Sequence, residues 1–181
     1  MFKNFKIIFV ITLFLGYAKI YAAINPELVA LIENPNPDQR TFQKLLKKEK
    51  NIGPVIYEVC KSHADHVTYL QILMQNPNFK DYQNQKFDFY EQKSTPLIKA
   101  LMTHNQGIAK MLLESKGIDI NIADEPYKAT PLFYAVVFQW DYGDSDEAEI
   151  RRARTIKEKI DIIKILLSRD DIKPNMQNRL G

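Results

Sequence analysis

The only cluster of potentially reactive side chains in the sequence lies around residue 60. Cys60, His63 and His66 follow one another at intervals of three residues, so a helix would place them along one side, with Asp65 available as a fourth ligand. Thiolate and imidazole ligands suit zinc. The same residues also suit a turn between two helices, which we favour because short ligand motifs discriminate weakly. A Cys–His nucleophile pair would need a third, orienting group. We therefore expect no metal, no cofactor and no catalytic residue.

The carboxylates give equally little support for catalysis. Asp119, Asp124 and Glu125 could be proposed as paired carboxylates for acid–base chemistry, but Asp119 and Asn121 are typical turn residues that bond to their own backbone. Three aspartates within residues 141–146 lack the glycine and glutamate of a calcium loop. With only six glycines, the chain contains no glycine-rich phosphate loop. The sequence thus predicts a protein that is not an enzyme.

The N-terminal segment has the three parts of a secretory signal peptide. Lys3 and Lys6 precede an apolar run over residues 7–18, and small residues end it at Ala22 and Ala23. The run of 12 residues is shorter than the roughly 20 that cross a bilayer. We predict a signal peptide over residues 1–22, cleavage near Ala22 or Ala23, a secreted or periplasmic location, and no stable membrane anchor after cleavage.

Removal of that segment changes the charge of the protein. The whole chain has 25 basic and 22 acidic residues, and three of the basic residues precede residue 23. The mature chain is therefore formally neutral, and phosphate binding requires a positive excess. We expect no nucleic-acid partner. A single cysteine, Cys60, excludes an internal disulfide, so an exported domain of this kind relies on its core.

A repeated pattern organises the rest of the chain. Thr-Pro-Leu-x-x-Ala-apolar starts at Thr95 and again at Thr130, an interval of 35 residues. Ile-apolar-x-x-Leu-Leu starts at Ile108 and at Ile162, and Gly117–Asn121 has its counterpart after the second of these. Threonine followed by proline favours a helix start, and the apolar spacing predicts two helices in each unit. Gly117 is expected to end the second helix.

These motifs resemble the ankyrin repeat family, most specifically over residues 95–129. The resemblance implies an all-α fold: an ankyrin-like solenoid of stacked helix–turn–helix repeats with projecting hairpin loops. The sequence departs from the family at Ile98 and Phe133, where histidine is usual, and at His104, which stands at a turn glycine and predicts a strained or altered turn.

The resemblance divides the chain into five parts. After the signal peptide we predict an N-terminal capping helix pair at 23–52, a divergent ankyrin repeat at 53–93, an ankyrin repeat at 94–128, and an ankyrin repeat at 129–181 with an insertion at 139–159. An apolar stripe made of Ile150, Ala153, Ile156, Ile160, Ile163 and Leu167 predicts that the last helix is lengthened by two or three turns. By family spacing, residues 175–181 lead into a further repeat unless the long helix closes the stack.

The function implied by the resemblance is binding to another protein through the hairpin loops and the concave face. Aromatic side chains commonly anchor such interfaces, and the predicted hairpin at 78–94 and the insertion contain several of them, although Phe79 and Phe87 are expected to pack inside their own loop. Our candidate binding residues are Tyr82, Phe89, Tyr90, Tyr127, Trp140 and Tyr142.

Three hypotheses for the function stay open at this point. The first is the exported interaction protein described above, with an unknown partner. A self-associating structural or protective protein of the cell envelope is the second, since a stack without a polar cap exposes apolar surface. A metal-dependent or Cys/His enzyme ranks third.

Overall fold

The computed structural model describes residues 24–36, 38–62, 66–89, 92–137 and 146–174, without the side chains of 89 and 146–155. The predicted signal peptide lies outside the described residues. The elements in chain order are α1 (Pro26–Glu33), α2 (Gln39–Leu46), α3 (Gly53–Lys61), α4 (Val67–Met74), α5 (Phe79–Tyr82), β1 (Phe87–Phe89), β2 (Gln92–Ser94), α6 (Pro96–Met102), α7 (Gln106–Glu114), α8 (Pro131–Val137) and α9 (Asp146–Leu167).

Helices α6 and α8 each begin at a threonine whose side chain caps the helix. The Thr95 hydroxyl accepts a hydrogen bond from Ile98 N at 3.3 Å, and the Thr130 hydroxyl accepts one from Phe133 N at 3.3 Å. In each case proline follows the threonine at the first helical position, where its missing N–H costs nothing. The predicted role of the two Thr-Pro pairs as helix starts is confirmed.

His104 lies in the turn between α6 and α7 with φ 55°, the left-handed region that favours glycine, which confirms a strained turn. The Asn105 side chain caps α7 by accepting a hydrogen bond from Ile108 N at 3.2 Å, and Gly107 lies inside that helix. Gly117 has φ 88° just beyond α7, as expected of a residue that ends a helix.

The helices form four successive pairs that lie in two rows. The first helices α1, α3, α6 and α8 contact one another in that order, and the second helices α2, α4, α7 and α9 do the same. Each pair contributes apolar side chains to one continuous core, which includes Leu28, Ile56, Leu97 and Leu112. Each helix pair therefore packs against the one that follows it.

The N-terminal pair is fixed to the second pair by ring stacking and hydrogen bonds. The rings of Phe42 and Tyr69 stack at 4.1 Å between centroids, and the Tyr69 hydroxyl accepts a hydrogen bond from Asp38 N at 2.8 Å. His66 Nε2 bonds to the Ile32 carbonyl oxygen at 2.6 Å. The first two contacts join α2 to α4, and the third joins α1 to the residue that precedes α4.

Asparagine side chains link the loops that follow successive pairs. Asn84 donates to the Gly117 carbonyl at 2.8 Å and accepts from Asp119 N at 2.9 Å. Asn121 repeats the pattern one unit later, since it donates to the Asp171 carbonyl and accepts from Lys173 N, both at 2.8 Å. The loops thus form a ladder along one side of the molecule.

The structure departs from a wholly helical fold between residues 79 and 94. The predicted long loop contains the short helix α5 and an antiparallel hairpin in which Phe87 pairs with Ser94, Asp88 with Lys93, and Phe89 with Gln92. The expected all-α class is correct only as a mostly helical fold.

Helix α9 is lengthened as predicted, but the side that packs on the core is not the one that carries the apolar stripe. It runs without a break over 22 residues. Ile162 and Leu166 are buried, whereas Ile156, Ile160 and Leu167, which belong to the predicted apolar stripe, are about half exposed. The stripe that the sequence shows is therefore not the buried face of this helix.

Candidate binding surface

The candidate surface is built from two loops whose backbones are bonded to each other. Lys93 N donates to the Glu125 carbonyl at 2.9 Å, and Glu125 N donates to the Lys93 carbonyl at 2.8 Å. Strand β2 is thereby held against the loop that follows α7. We call residues 124–128 the hairpin tip. Backbone hydrogen bonds from the preceding hairpin set the position of the tip, and these bonds do not involve the side chains of the tip.

A buried network of side chains fixes the base of the hairpin tip. Gln92 Nε2 donates to Asp124 Oδ2 at 2.7 Å and to the Tyr134 hydroxyl at 2.9 Å. The Tyr134 hydroxyl donates to Asp124 Oδ2 at 2.7 Å, and Asp124 Oδ1 accepts from Ala129 N at 2.7 Å. Burial raises the pKa of Tyr134 well above its usual range, and the bond to Asp124 adds to that effect. Asp124 is therefore a structural residue of the turn.

Tyr127 is the exposed aromatic residue of this tip. Its exposed fraction is 54%, and it is the single large hydrophobic residue that is exposed among the described residues outside α8 and α9. Glu125, Pro126 and Lys128 beside it are also exposed. An exposed tyrosine on a loop that is fixed from below loses little conformational freedom on binding. Tyr127 thus meets the requirements of a binding anchor.

Two ion pairs of solvent-accessible side chains lie at the tip and beside it. Lys86 Nζ lies 2.9 Å from Glu125 Oε1, and Lys93 Nζ lies 3.8 Å from Asp88 Oδ1. The hydrogen bond from Lys86 lowers the pKa of Glu125. Exposed ion pairs of this kind contribute little to stability. The four side chains therefore give Tyr127 a polar rim of both signs.

The aromatic residues of the preceding loop pack inward. Phe79 is buried, and the rings of Tyr82 and Phe87 lie so close to Gly53 that a Cβ there would come within 2.6 Å of Tyr82 Cδ1 and 2.9 Å of Phe87 Cζ. The rings of Phe87 and Tyr57 contact at 5.4 Å between centroids. The expectation that Phe79 and Phe87 pack under their own loop is confirmed.

The six predicted binding residues do not all come together in the described part of the molecule. Tyr82 is half-buried against α3, whereas Tyr127 lies exposed at the hairpin tip, and no ring contact joins the two among the described residues. Phe89 is at the end of β1, with its side chain outside the description. Tyr90, Trp140 and Tyr142 lie outside the described residues.

The first helices contribute less surface than the resemblance implies. Tyr57, Lys99 and Tyr134 occupy the same place in α3, α6 and α8, and all three are buried. The Tyr57 hydroxyl lies 3.0 Å from Ser94 Oγ, so the hairpin covers it, as Gln92 covers Tyr134. Desolvation lowers the pKa of Lys99 to about 8, and repulsion from Lys61 acts in the same direction. The sequence does not reveal that these positions are covered, because the loop residues that bond to Tyr57 and Tyr134 are 37 and 42 residues away along the chain.

Two side chains of the cluster around residue 60, those of Cys60 and His66, are buried in the interior. The Cys60 thiol is fully buried, and desolvation raises its pKa far above its usual value, which removes the thiolate. His66 Nε2 must donate to the Ile32 carbonyl, since a carbonyl only accepts, so that nitrogen carries a proton and is not a metal ligand. His63 and Asp65 lie outside the described residues. In the described part of the chain no three metal-ligating side chains come together.

The remaining predicted residues have the turn roles that their types suggest. Asp119 Oδ1 accepts a hydrogen bond from Asn121 N at 2.8 Å, as in an Asx turn.

Within the described ranges, no helix is both long enough and apolar enough to cross a membrane.

Comparison with known protein families identifies the unit at the centre of this surface. Residues 92–125, from β2 to the hairpin tip, match the family model described as "Ankyrin repeat". Neither the comparison with curated proteins nor that with solved structures gives a match. The resemblance noted in the sequence is thereby confirmed over these residues, which contain β2, α6, α7 and the start of the hairpin tip.

Proposed function

We propose that this ankyrin-repeat protein binds another protein through the hairpin tip around Tyr127, and that it does so after export from the cell. Ankyrin repeats are protein-interaction modules and typically non-catalytic, and the matched repeat leads directly into the tip. The buried Cys60 thiol and the structural role of Asp124 agree with a binding protein, so we propose no enzymatic activity.

The arrangement of the helices supports the proposed solenoid. Contacts between successive first helices and between successive second helices are those of a stack in which each unit meets only its neighbours. The asparagine ladder of Asn84 and Asn121 continues the same order through the loops. In a solenoid of this kind the tips line one side, so a partner would contact several of them at once.

The observation that carries the proposal is the exposure of Tyr127 on a tip that is fixed from below. Four hydrogen bonds among Gln92, Asp124, Ala129 and Tyr134 hold the base, and two backbone bonds hold Glu125. A tyrosine in such a position offers apolar area and a hydroxyl together. The covered row at Tyr57, Lys99 and Tyr134 limits the proposed surface to the tips and removes the first helices from it.

Substitution of Tyr127 tests this surface. The partner is first captured with the purified protein as bait in material from its native environment and then titrated by calorimetry. We expect Tyr127→Ala to weaken binding by about 2 kcal/mol or more, the scale of an anchor residue. Lys110→Ala, an exposed change on α7, is the control and should leave affinity unchanged. Unchanged affinity in Tyr127→Ala would contradict the proposal for the tip.

The same titration separates the two groups of predicted anchors. If Tyr127→Ala has no effect but Trp140→Ala or Tyr142→Ala weakens binding, the insertion at 139–159 forms the surface instead. Export is tested separately by mass spectrometry of the protein isolated outside the cytoplasm. A mature chain that begins near residue 23 is expected, and an intact Met1 with Lys3 in the cytoplasm would contradict the proposed location.

A further inference from the structure

The outer side of α2 and of the turn that follows it carries four cationic side chains. We call them the basic stripe: Arg40, Lys44, Lys47 and Lys48. Lys47 N donates to the Gln43 carbonyl at 3.2 Å. Lys48 N donates to the Leu45 carbonyl at 3.0 Å, so the helical turn continues through both lysines. Residues 38–50 contain five basic and two acidic residues, so this part of the chain is positively charged.

Helical spacing places the basic stripe opposite the core. At about 3.6 residues per turn, the side chains of Arg40, Lys44 and Lys47 point within roughly 60° of one another, and Lys48 flanks them. The buried residues of α2 are Phe42, Leu45 and Leu46. These three lie on the opposite half of the helix, whereas all four members of the stripe are exposed. The stripe is therefore one continuous surface on a single helix.

The acidic side chains nearest to the stripe in sequence are engaged by other groups. The Asp38 carboxylate accepts hydrogen bonds from Thr41 N at 3.0 Å and from the Thr41 hydroxyl at 2.7 Å. These bonds lower the pKa of Asp38, with a smaller contribution from the charge of Arg40. Glu49 Oε1 accepts a hydrogen bond from Asn25 N at 3.1 Å. No ion pair among the described residues includes a member of the stripe, so its charges face solvent.

The composition of the stripe indicates which kind of partner it fits. The centres of protein interfaces are depleted of lysine and depend on aromatic or arginine anchors. In the described part of the chain, every exposed large hydrophobic side chain lies outside the first two helix pairs. Three of the four members of the stripe are lysines, which act as compact point charges. Such a row suits a surface of many anions better than the shaped surface of a protein.

Anionic phospholipid headgroups are the polyanion that this geometry favours. The stripe is a straight row about 12 Å long on one helix, which a flat surface can contact along its whole length. Recognition of a nucleic acid uses an element that enters a groove or aromatic rings that stack on bases, and the stripe has neither. Clusters of four to eight basic residues on an amphipathic helix are typical of contact with anionic lipids. The potential of such a surface falls off within about 10 Å, so acidic residues elsewhere in the chain oppose the contact only weakly.

We infer that the basic stripe holds this protein reversibly against a surface of anionic phospholipid headgroups. The apolar side of α2 stays in the core, so the stripe brings no apolar side chain into the bilayer and the attraction is electrostatic. The stripe belongs to the first helix pair, whereas the hairpin tip follows the third. Lipid contact and binding through Tyr127 therefore use different surfaces, and the inference does not rest on the proposed function.

Co-sedimentation with lipid vesicles tests the inference. The purified chain is mixed with vesicles of phosphatidylglycerol and phosphatidylcholine in equal amounts, or with vesicles of phosphatidylcholine alone. We expect the anionic vesicles to be preferred by at least about a hundredfold at low salt, since each basic residue near the surface contributes about fivefold. The preference should disappear at about 0.5 M NaCl, because salt screens the attraction. Residues 1–22 are present in every variant, so their contribution cancels when variants are compared.

A pair of matched double variants locates the contact. Lys44→Gln/Lys47→Gln removes two charges from the stripe and should weaken binding to the anionic vesicles by about thirtyfold. Lys110→Gln/Lys116→Gln removes two exposed charges in α7 and just after it, and should leave binding nearly unchanged. Both variants have the same net charge, so a difference between them cannot arise from net charge. Circular dichroism checks that both keep the helix content of the wild-type protein.

Three results would overturn the inference. The first is equal binding to anionic and neutral vesicles at low salt, and the second is the same loss in both double variants. The third is tighter binding to duplex DNA than to the anionic vesicles, lost in Lys44→Gln/Lys47→Gln, which would assign the stripe to a nucleic acid. Tyr127→Ala should bind the vesicles as the wild-type protein does, so the inference and the proposed function fail separately.

Discussion

The helix pairs α6–α7 and α8–α9 have the same apolar pattern but differ in what covers it. Leu113 in α7 is 4% exposed, whereas Leu167 at the equivalent place in α9 is 54% exposed. Leu101 in α6 is 3% exposed and Val136 in α8 is 54% exposed. The two pairs share these motifs but not their surroundings, since among the described residues a further helix pair packs on α6–α7 and none packs on α8–α9.

This comparison shows that a repeat motif specifies a residue's type but not its environment. Ile108 and Leu112 are buried in α7, and their counterparts Ile162 and Leu166 are buried in α9. Leu101 and Leu113 are buried as well, whereas their counterparts Val136 and Leu167 are half exposed. In a one-dimensional stack each unit depends on its neighbours for part of its stability.

The largest effect expected from this difference concerns the two leucines. Leu113→Ala removes a side chain from a closed core and should lower the free energy of unfolding by about 3 kcal/mol. Leu167→Ala removes a half-exposed side chain and should cost about 1 kcal/mol. Urea denaturation measures both values. Equal costs at the two positions would contradict the exposure that the structure gives to Leu167.

The second effect concerns a charge in the middle pair that the last pair lacks. Lys99 occupies the place of Tyr134, and burial lowers its pKa to about 8, with Lys61 and Glu58 as its charged neighbours. At Lys99 the unfolded chain therefore binds more protons than the folded chain between pH 8 and 10, so this group makes stability rise with pH. We expect Lys99 to add about 2 kcal/mol to the free energy of unfolding over this range, whereas the buried Cys60 thiol, whose pKa is raised, acts in the opposite direction.

Lys99→Met is the variant that isolates this contribution. It keeps a long side chain and removes the titrating group, so the difference in the free energy of unfolding between the wild-type protein and Lys99→Met should rise by about 2 kcal/mol between pH 8 and 10. Burial raises the pKa of Cys60, Tyr57 and Tyr134, and ionisation of these groups in the unfolded chain lowers the stability of both proteins alike, so it cancels in this difference. The prediction fails if the wild-type protein and Lys99→Met show the same slope between pH 8 and 10.

Local features of the fold follow directly from the sequence. Residue types a few positions apart predict the Thr-Pro helix starts, the glycine that follows α7, the strained turn at His104 and the long final helix. These features depend on hydrogen bonds and backbone angles within one turn, which short motifs encode. The inward packing of Phe79 and Phe87 is also predictable, because a long aromatic loop must shield its rings.

Features that depend on distant neighbours do not follow from the sequence. The hydroxyl groups of Tyr57 and Tyr134 bond to Ser94 and Gln92, which are 37 and 42 residues away along the chain. The apolar stripe of α9 predicts a core face that the structure leaves exposed at Ile156 and Ile160. Of the two candidate site residues whose side chains the structure describes, Tyr127 is exposed and Tyr82 is half-buried, since exposure depends on the whole surrounding structure.

The smallest effect is one in which the two pairs should not differ. Thr95 and Thr130 each cap a first helix through a hydrogen bond of 3.3 Å, and both are buried. A cap acts on the first turn of its own helix, so Thr95→Ala and Thr130→Ala should each lower the free energy of unfolding by about 1 kcal/mol. Thr95→Ser and Thr130→Ser keep the hydroxyl and should restore most of that loss. If Thr130→Ala cost far less than Thr95→Ala, the last pair would be loosely folded as a whole. The exposure of its apolar side chains would then reflect that weakness and not the absence of a neighbour.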